Sequence, residues 1–360
     1  MSNLKTQGFI LLDVDVAALN NAGKNTSSNY ENAVATKKVY KNGNSYVYVS
    51  GQAWRFWWRE ALVRQFNWIM SPITREGKIA FTEANPQKFP DDDIFGYMRA
   101  ATEEVIDEKT GKSKKENITV TRISPLKNSA IVSAAAVRPV ENWSVMARQD
   151  DAPVPYSKEE YSAIMKGMFS LDLMQVGTFS NYNRTGFKNL LENRRKEILD
   201  NGGIEIADPF AKNGKGEPQK LVQLAKTTRV KRATDTLQAL KFLSGGAMQT
   251  NNMADVTPKF IILASTTSGN HPFSHVVSSQ GKRDDSVDLN FEGLLEVLKE
   301  YKEQFVGTVF VGLRTGFWDE HSAKLQTLKD LDNKDYPIVS VLPVNEAIDT
   351  YCKQLENQIP

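Results

Sequence analysis

The chain contains very little cysteine and histidine. Its 360 residues include one cysteine, Cys352, and three histidines, His271, His275 and His321. A single thiol excludes an internal disulfide and any zinc site built from several cysteines. This pattern is typical of proteins from a reducing compartment.

Long apolar runs are also missing. The opening residues, MSNLKTQGFILLDVDV, alternate apolar with acidic positions and lack the unbroken apolar core of a signal peptide. No stretch reaches the length of a membrane span. We therefore expect a cytoplasmic protein without a membrane partner.

The net charge is small, at +2, which argues against a uniformly basic nucleic-acid binder. The charge is nevertheless unevenly placed. Residues 184 to 232 hold twelve Lys or Arg against six Asp or Glu, a local excess that the rest of the chain offsets. Such a stretch is typical either of a surface that binds a polyanion or of an ordinary solvated face.

The pattern of apolar residues predicts an α+β fold rather than a doubly wound sheet. Alternation over GFILLDVDVAAL predicts a strand with Leu12, Val14 and Val16 on one side. A polar loop is predicted over 20–38, and the Asn-Gly pair of VYKNGNSYVYV predicts a hairpin that leads into a helix.

Further along the chain, helices and strands alternate irregularly. The strands are predicted within TVTRIS, NSAIVSAAAV, FSLDLMQVGTFS, KFIILAST, TVFVGLRTG and YPIVSVLP. The helices are predicted within DIFGYMRAATEEVI, from Ser157 onward, and within GFKNLLENRRKEILDNGG, RVKRATDTLQALKFLSGG and NFEGLLEVLKEYKEQF. Glycines and prolines in 201–228 predict a projecting hairpin or loop.

Four of the six tryptophans lie within fifteen residues, in and just after the segment SGQAWRFWWREALVRQF. On a helix, the following residues share one broad face: Trp54, Trp57, Trp58, Ala61 and Trp68. This spacing favours packing against a sheet over stacking on nucleic-acid bases.

The polar edge of the same helix has the features of a phosphate site. Ser50 is a good N-cap and Gly51 permits close approach, so free N–H groups and a positive dipole end are expected there. Gln52, Arg55 and Arg59 follow on one narrow face, where guanidinium groups suit bidentate contact with phosphate. The alternative is that both arginines are solvated or pair with acids.

An ordered set of motifs resembles a known family. The strand, loop, strand and SGQAWRFWWR are followed in order by DIFGYM, RISPLK, DLMQVGTF, LSGGA and PKFIILAS. Together they resemble the backbone subunit of Cascade, the seventh family of CRISPR-associated proteins, in its DevR-type autoregulator branch and of type I-B. The likeness spans nearly the whole chain, although no single motif decides it.

The resemblance implies one elaborated domain over 1–360. Its parts would be a modified RRM-like palm with the ferredoxin-like βαββαβ order, helical finger insertions at 71–118 and 139–168, and a thumb hairpin at 201–228. The chain departs from an RRM because the aromatic-rich tract that stacks bases is missing. Gripping of the RNA backbone is therefore favoured.

The resemblance also implies a non-catalytic subunit with no cofactor or metal. Copies would stack head to tail along a guide RNA and present its bases to target DNA, beside other Cascade subunits. The implied RNA contacts are Asn21, Lys24, Ser50, Gln52, Arg55, Arg59, Lys226, Arg229, Arg232, Met248 and Gln249. Phosphate contacts carry no base information, which suits a protein that accepts any guide.

Two short motifs imitate sites of nucleotide or metal binding. TGKS at 110–113 resembles the end of a P-loop, but Ile106 stands where that pattern needs glycine, so a turn is predicted. His271 and His275 are four residues apart, but Pro272 lies between them and no third ligand is evident.

An acidic cluster supports a rival function. Asp91, Asp92 and Asp93 could hold magnesium in an RNA-cleaving backbone subunit, or they could belong to a loop and helix start. A DNA-binding autoregulator is a further alternative, although no helix-turn-helix pattern is visible.

Overall fold

A computed structural model of the chain describes residues 3–106, 113–147, 152–184, 188–279 and 286–360. The TGKS motif lies outside these ranges, apart from the backbone of its serine, as do residues 185–187. None of the described helices is long and apolar enough to cross a membrane.

The described strands are β1 (Lys5–Ala17), β2 (Asn21–Lys24), β3 (Ala33–Thr36), β4 (Lys38–Lys41), β5 (Asn44–Val49), β6 (Thr74–Glu76), β7 (Ile79–Phe81), β8 (Tyr97–Ile106), β9 (Ser113–Arg122), β10 (Leu126–Asn128), β11 (Ile131–Ser133), β12 (Val140–Met146), β13 (Val154–Asp172), β14 (Thr178–Ser180), β15 (Ile204–Lys212), β16 (Pro218–Gln223), β17 (Phe260–Thr266), β18 (Val277–Ser278), β19 (Asp288–Leu289), β20 (Val309–Leu313) and β21 (Val339–Leu342).

The described α-helices are α1 (Gly51–Phe66), α2 (Pro90–Phe95), α3 (Glu192–Asp200), α4 (Lys226–Gln238), α5 (Gln249–Asn252), α6 (Phe291–Glu300), α7 (Asp319–Gln326) and α8 (Val344–Gln358). Short 3-10 helices cover Ala239–Phe242, Pro272–His275, Lys302–Gln304 and Thr327–Asp330.

Twelve strands form one mostly antiparallel sheet, which confirms the α+β class. Its main path runs β21-β20-β17-β1-β13-β11-β5-β4, while β10, β12 and β3 also pair with β13, and β2 pairs with β3. Among the described strands of this sheet, β20 with β21 and β13 with β3 are the parallel pairs. The predicted apolar strands in the C-terminal third are confirmed as β17, β20 and β21.

The centre of the sheet is covered on both faces. Successive side chains of a strand point to opposite faces, so Ile10 and Leu12 pack in a cluster with residues of α1, α4 and α8. Phe9 and Leu11 pack on the other side, with residues of α6 and α7. The predicted alternation fails at Val16, which is 57% exposed, because the pairing of β1 with β13 shifts register after Val14. A bulge therefore turns Val16 outward.

Helix α1 forms as the sequence predicts. Ser50 has extended backbone angles and accepts the N–H of Ala53 at 3.3 Å, so it is the N-cap. All five residues of the predicted apolar face are buried. The indole N–H of Trp58 donates to Thr236 O of α4 at 2.6 Å, so core packing is confirmed and base stacking by these rings is excluded.

The first insertion, 71–118, differs from the predicted helical finger. Its helix α2 has six residues and stops at Gly96, where φ is 75°. Tyr97–Ile106, predicted as helix, is the strand β8 and pairs with β9 along its whole length. A glycine in the left-handed region stops a helix readily, and the ten-residue partner strand then favours extended backbone.

The helix predicted from Ser157 is also wrong. This segment belongs to β13, a single strand of 19 residues that includes the second half of the second predicted insertion, 139–168. Ser157 and Lys158 pair with β12 on one edge and with β3 on the other. Lys38 Nζ lies 2.6 Å from Glu159 Oε1, so the acids expected in a first helical turn have partners in the sheet instead. Long-range pairing overrides the local helix signal.

Two predicted hairpins are confirmed. Asn42 and Gly43 have φ values of 51° and 77°, as a two-residue turn with both residues left-handed requires, and they join β4 to β5. Strands β15 and β16 form the hairpin predicted in 201–228, and β14 joins them in a separate three-stranded sheet. The polar loop predicted over 20–38 contains the short strands β2 and β3.

Candidate nucleic-acid interface

An open groove of about 620 Å³ runs beside the first turns of α1. Helix α1 forms one wall, and Phe95, at the end of α2, and the segment around β10 form the other. The predicted residues Ser50, Gln52, Arg55 and Arg59 all line it. The structure therefore brings four of the eleven residues predicted from the sequence together in one cavity.

The lining of this groove is positively charged. It includes Arg55, Arg59 and Lys127, and none of the described residues that line it carries a carboxylate. Lys127 is exposed on β10. Positive charge that is not neutralised within a concave surface attracts polyanions.

Arg55 is held in place by the protein itself. Its Nη1 donates to Leu126 O at 2.8 Å and to Asn128 Oδ1 at 3.1 Å. Its Nη2 donates to Phe95 O at 2.8 Å and to the hydroxyl of Ser124 at 3.0 Å. Burial, and then the neighbouring Arg59, lower the pKa of Arg55 to about 10. The side chain therefore brings a fixed positive charge to the groove rather than a free fork.

Arg59 is differently placed. Its guanidinium lies over the ring of Phe95, with its carbon 4.1 Å from the ring centre, and no hydrogen bond from it to the described residues is found. Burial lowers the pKa of Arg59, while the charges of Asp91 and Asp92 act in the opposite direction. Arg59 is thus the groove arginine with donors available to a bound anion.

The N-terminus of α1 is held by Asn20, after β1, and by Asn128 on the opposite wall of the groove. The N–H of Ser50 donates to Asn20 Oδ1 at 2.9 Å, and the amide of Asn128 donates to Gly51 O at 3.1 Å. A Cβ on Gly51 would lie 3.2 Å from Asn128 Nδ2, so glycine permits this close approach. Gln52 is exposed at the same end.

The four predicted residues in the two loops lie beyond this end of the groove. Leu19 and Asn20 connect both loops to the start of α1. Ala247 N, in the second loop, donates to Leu19 O at 3.0 Å, and the N–H of Ser50 donates to Asn20. Asn21 and Lys24 are exposed on β2, which follows directly, and Met248 and Gln249 follow Ala247. None of these four lines the groove, although their segments converge on its N-terminal end.

The structure corrects the expectation for the arginines of α4. Arg229 has 0% exposure and donates to Val176 O at 2.9 Å, and its burial lowers its pKa to about 10. Arg232 is buried against Asp93, with Nη1 and Oδ2 2.8 Å apart. Neither side chain is accessible to RNA, because both join interior elements. Lys226 is exposed in the first turn of α4 but does not line the groove.

More than half of the cations in the basic stretch 184–232 are paired or buried within the fold. Among the ion pairs between described residues, six of its twelve cations take part, and Arg229 is buried as described above. The paired cations are Arg184, Arg194, Arg195, Lys220, Lys231 and Arg232. The local charge excess is therefore not one continuous polyanion surface.

The three aspartates of the acidic cluster form the first turn of α2 and have internal partners. Asp93 pairs with Arg122 at 2.5 Å as well as with Arg232. Asp91 accepts the N–H of Ser71 at 3.0 Å, and Asp92 accepts that of Asn85 at 2.9 Å. Within the described ranges, no group of three or more His, Cys, Asp or Glu could hold a metal ion.

The histidines do not converge either. His271 Nε2 lies 2.9 Å from Gly8 O, and burial lowers the pKa of this ring. His321 is paired with Asp288, its Nε2 2.8 Å from Oδ1. His275 lies at the end of a 3-10 helix.

Comparison with protein families shows to which family the chain belongs. Residues 11–288 match the family described as CRISPR-associated negative auto-regulator DevR/Csa2. The chain belongs to the DevR/Csa2 family. No match was found among curated proteins.

The fold of this DevR/Csa2 member is shared with solved structures. One chain titled "CRISPR RNA-guided surveillance complex, pre-nicking" has a TM-score of 0.52 at 8% identity, with 97% of this chain and 99% of that one covered. Another, titled "CRISPR RNA-guided surveillance complex", has a TM-score of 0.50 at 8% identity, with 98% and 99% covered.

Sequence reasoning on this DevR/Csa2 member missed Lys127. The residue closes the RISPLK motif, and it became a candidate only when β10 placed it opposite α1. A cation at the end of a Pro-containing motif between two strands was the available signal. Its neighbourhood depends on contacts between residues about seventy positions apart.

Proposed function

We propose that the chain is a non-catalytic backbone subunit of a type I-B CRISPR surveillance complex, Cascade, in the cytoplasm. It binds the guide RNA through its phosphates and lines up head to tail with further copies beside the other subunits. The guide bases are left to pair with target DNA. The observation that carries this proposal is the groove, whose described lining contains Arg55, Arg59 and Lys127 but no carboxylate.

The strand order supports an RRM-like palm. Strand β1, helix α1, strands β11 and β13, helix α4 and strand β17 follow one another in the chain. Within the sheet they lie in the order β17-β1-β13-β11, with antiparallel neighbours. This is the βαββαβ arrangement, with the other described elements as additions. The β15–β16 hairpin then takes the place of the thumb.

The groove chemistry favours reading of the backbone over reading of bases. The indoles of α1 are buried, and a ribose-phosphate chain offers the same phosphate oxygens whatever the sequence. Ser50, Gln52 and Arg59 are the proposed direct contacts on α1, with Arg55 as a fixed charge. Asn21, Lys24, Lys226, Met248 and Gln249 stay as outer contacts in this proposal.

Removing groove cations should reduce the salt dependence of RNA binding. For the double variant Arg59→Ala, Lys127→Ala, we expect the slope of log K against log salt to flatten by about 1.4, since each lost phosphate contact removes about 0.7 on a single strand. The loss should be the same for RNAs of unrelated sequence. Nitrocellulose filter binding over a salt series measures both.

Arg64→Ala is the matched control. Arg64 lies on the same helix, has a side chain 72% exposed and pairs with Glu60, but it does not line the groove. Its removal should leave the slope unchanged. An unchanged slope in the double variant, or an equal change in Arg64→Ala, would count against the assignment.

The family description names a negative auto-regulator, and one rival proposal is therefore a regulator that acts by binding DNA. Such a protein should form a discrete complex with its promoter duplex and carry little RNA on purification. A second rival, an RNA-cleaving subunit, requires magnesium-dependent loss of bound RNA that Asp92→Ala abolishes. Sequencing of co-purified nucleic acid, followed by incubation with magnesium, distinguishes all three.

A further inference from the structure

One half of the central sheet has a face that the described helices leave open. Helices α1, α4 and α8 pack on the other face, in one cluster with Val47 of β5, Ile131 of β11 and Met165 of β13. Helices α6 and α7 pack on this face at β1, against Phe9 and Leu11. From β13 through β11 and β5 to β4, the side chains of this face are partly or fully exposed, and this part of the sheet is the open face.

The pairing register fixes which side chains lie on the open face. Lys166 of β13 lies opposite Leu11 on one side and Val132 on the other. Val132 in turn lies opposite Tyr48, and the N–H of Tyr48 donates to Lys37 O at 3.0 Å. Opposed residues of neighbouring strands share a face, and residues two apart along one strand share it too. The open face therefore carries Lys37, Lys41, Tyr46, Tyr48, Val132 and Lys166.

The open face is positively charged. Strands β4, β5 and β11, and residues 162–171 of β13, contain no Asp or Glu. Among the ion pairs between described residues, none involves Lys37, Lys41 or Lys166. Lys166 Nζ lies 3.5 Å from Ser274 O, and burial, followed by the charge of Lys41, lowers the pKa of Lys166. A bound anion would offset the repulsion between these cations.

The two tyrosines suit the stacking of bases. Tyr46 and Tyr48 are both partly exposed, and they are about 7 Å apart along β5. Aromatic rings beside cations hold single-stranded nucleic acid with little regard to its sequence, because every base has a flat face and every nucleotide has a phosphate. A duplex keeps its base faces stacked inside and offers only its phosphates. The open face therefore favours a single strand.

We propose that the open face binds a single strand of DNA, through phosphates at the three lysines and bases stacked on Tyr46 and Tyr48. The inference rests on the proposed function, because a guide that pairs with one strand of a target duplex releases the other strand beside the same subunit. Helix α1, which forms one wall of the groove, packs on the opposite face of the sheet, so both sites can be occupied at once. Neither kind of contact depends on the base.

The test uses the chain loaded with oligouridine RNA, so that the groove is occupied. A labelled thymidine oligonucleotide, which cannot pair with this RNA, is the probe, and fluorescence anisotropy over a salt series measures its binding. We expect the loaded wild-type chain to bind the DNA.

Two variants remove the two kinds of contact. Tyr46→Leu keeps an apolar side chain and removes the ring, so it should weaken DNA binding about tenfold. The double variant Lys41→Gln, Lys166→Gln should flatten the slope of log K against log salt for DNA by about 1.4, since each phosphate contact on a single strand accounts for about 0.7. Neither change should alter the affinity for RNA in the groove.

Tyr40→Leu is the matched control for the ring. Tyr40 is 74% exposed on β4 and lies opposite Ser45, so it points to the other face of the same hairpin. This variant should bind DNA as the wild-type chain does. Lys353→Gln, at an exposed residue of α8, is the control for charge and should keep the wild-type slope. Should Tyr46→Leu fail to fold, the double lysine variant still decides the question.

The outcomes separate the two proposals. Uptake of RNA without binding of DNA overturns the DNA site alone. Equal losses in Tyr46→Leu and Tyr40→Leu, or an unchanged slope in the double lysine variant, overturn it as well. If unlabelled oligouridine displaces the probe at a lower concentration than unlabelled oligothymidine does, the open face holds RNA and the proposal is wrong. A chain that takes up no RNA but binds DNA through Tyr46 and the lysines supports the DNA site and overturns the proposed function.

Discussion

At the scale of single residues, the buried Asp91 makes the stability of the fold depend on pH. Burial raises the pKa of its carboxyl to about 6 from an ordinary value of 3.8, with Asp92 also raising it and the N–H of Ser71 acting against the shift. Because the pKa is higher in the folded state, the folded chain is favoured when Asp91 is protonated. That contribution is fully present below about pH 4 and is lost as the pH rises through 6.

Asp91→Asn should therefore stabilise the protein at neutral pH. An amide oxygen can still accept from Ser71 and carries no charge, so we expect unfolding to cost about 2 kcal/mol more at pH 7 and little more at pH 4. Urea unfolding at both pH values measures the difference. The exposed Asp330→Asn should give no such pH-dependent gain, and a gain equal at both pH values would contradict the role of the raised pKa.

Arg232 should act on folding and not on RNA. Replacing it by methionine leaves the buried Asp93 with one cation fewer, and breaking a buried pair in this way costs about 3–5 kcal/mol. The neighbouring Lys231→Met is the control, because its side chain is 67% exposed and such pairs contribute about 0–1 kcal/mol. Chemical unfolding gives the stabilities. If the folded Arg232→Met variant showed a changed salt slope of RNA binding, the prediction would be wrong and Arg232 would contact RNA.

At the scale of elements, the sequence predicts what local chemistry decides. The N-cap at Ser50, the buried indoles of α1 and the Asn-Gly turn after β4 depend on neighbours within a few residues, and all three are confirmed. The apolar runs of β17 and β20 are equally clear, because strands buried on both faces need continuous apolar residues.

The insertions could not be predicted in this way. Ser157 to Glu160 resemble a helix start in isolation, and only β3 and β12, distant in sequence, make them a strand. The same limit applies to the site. The α1 edge with Ser50, Gln52, Arg55 and Arg59 follows from helical spacing, whereas the interior positions of Arg229 and Arg232 depend on partners such as Val176 and Asp93. Charge counts along a chain do not distinguish a solvated cation from a buried one.

At the scale of the whole molecule, we propose that the β15–β16 hairpin, in the place of the thumb, contacts the next copy. Phe210 on β15 is 72% exposed. Burying such a ring in an interface is worth about 2 kcal/mol. Phe210→Ala should therefore bind a short RNA normally and load successive copies on a long RNA at least tenfold more weakly.

Sedimentation velocity with RNAs of increasing length measures this loading. Ile79→Ala is the control, because Ile79 is 67% exposed on a different hairpin, β6–β7. If Phe210→Ala loads long RNA as well as the wild-type chain does, the hairpin is not the contact between copies.

The continuous strand β13 has a consequence for the proposed stack of copies along the RNA. A strand of 19 residues is about 60 Å long, and here it runs from the central sheet, beside β1, out to its partners β12 and β3. One continuous strand therefore joins the outer β12–β13 pair to the central sheet, and main-chain hydrogen bonds hold this pair together. In a stack of copies, the pitch would be built into each subunit, and salt would change how many copies are loaded but not their spacing.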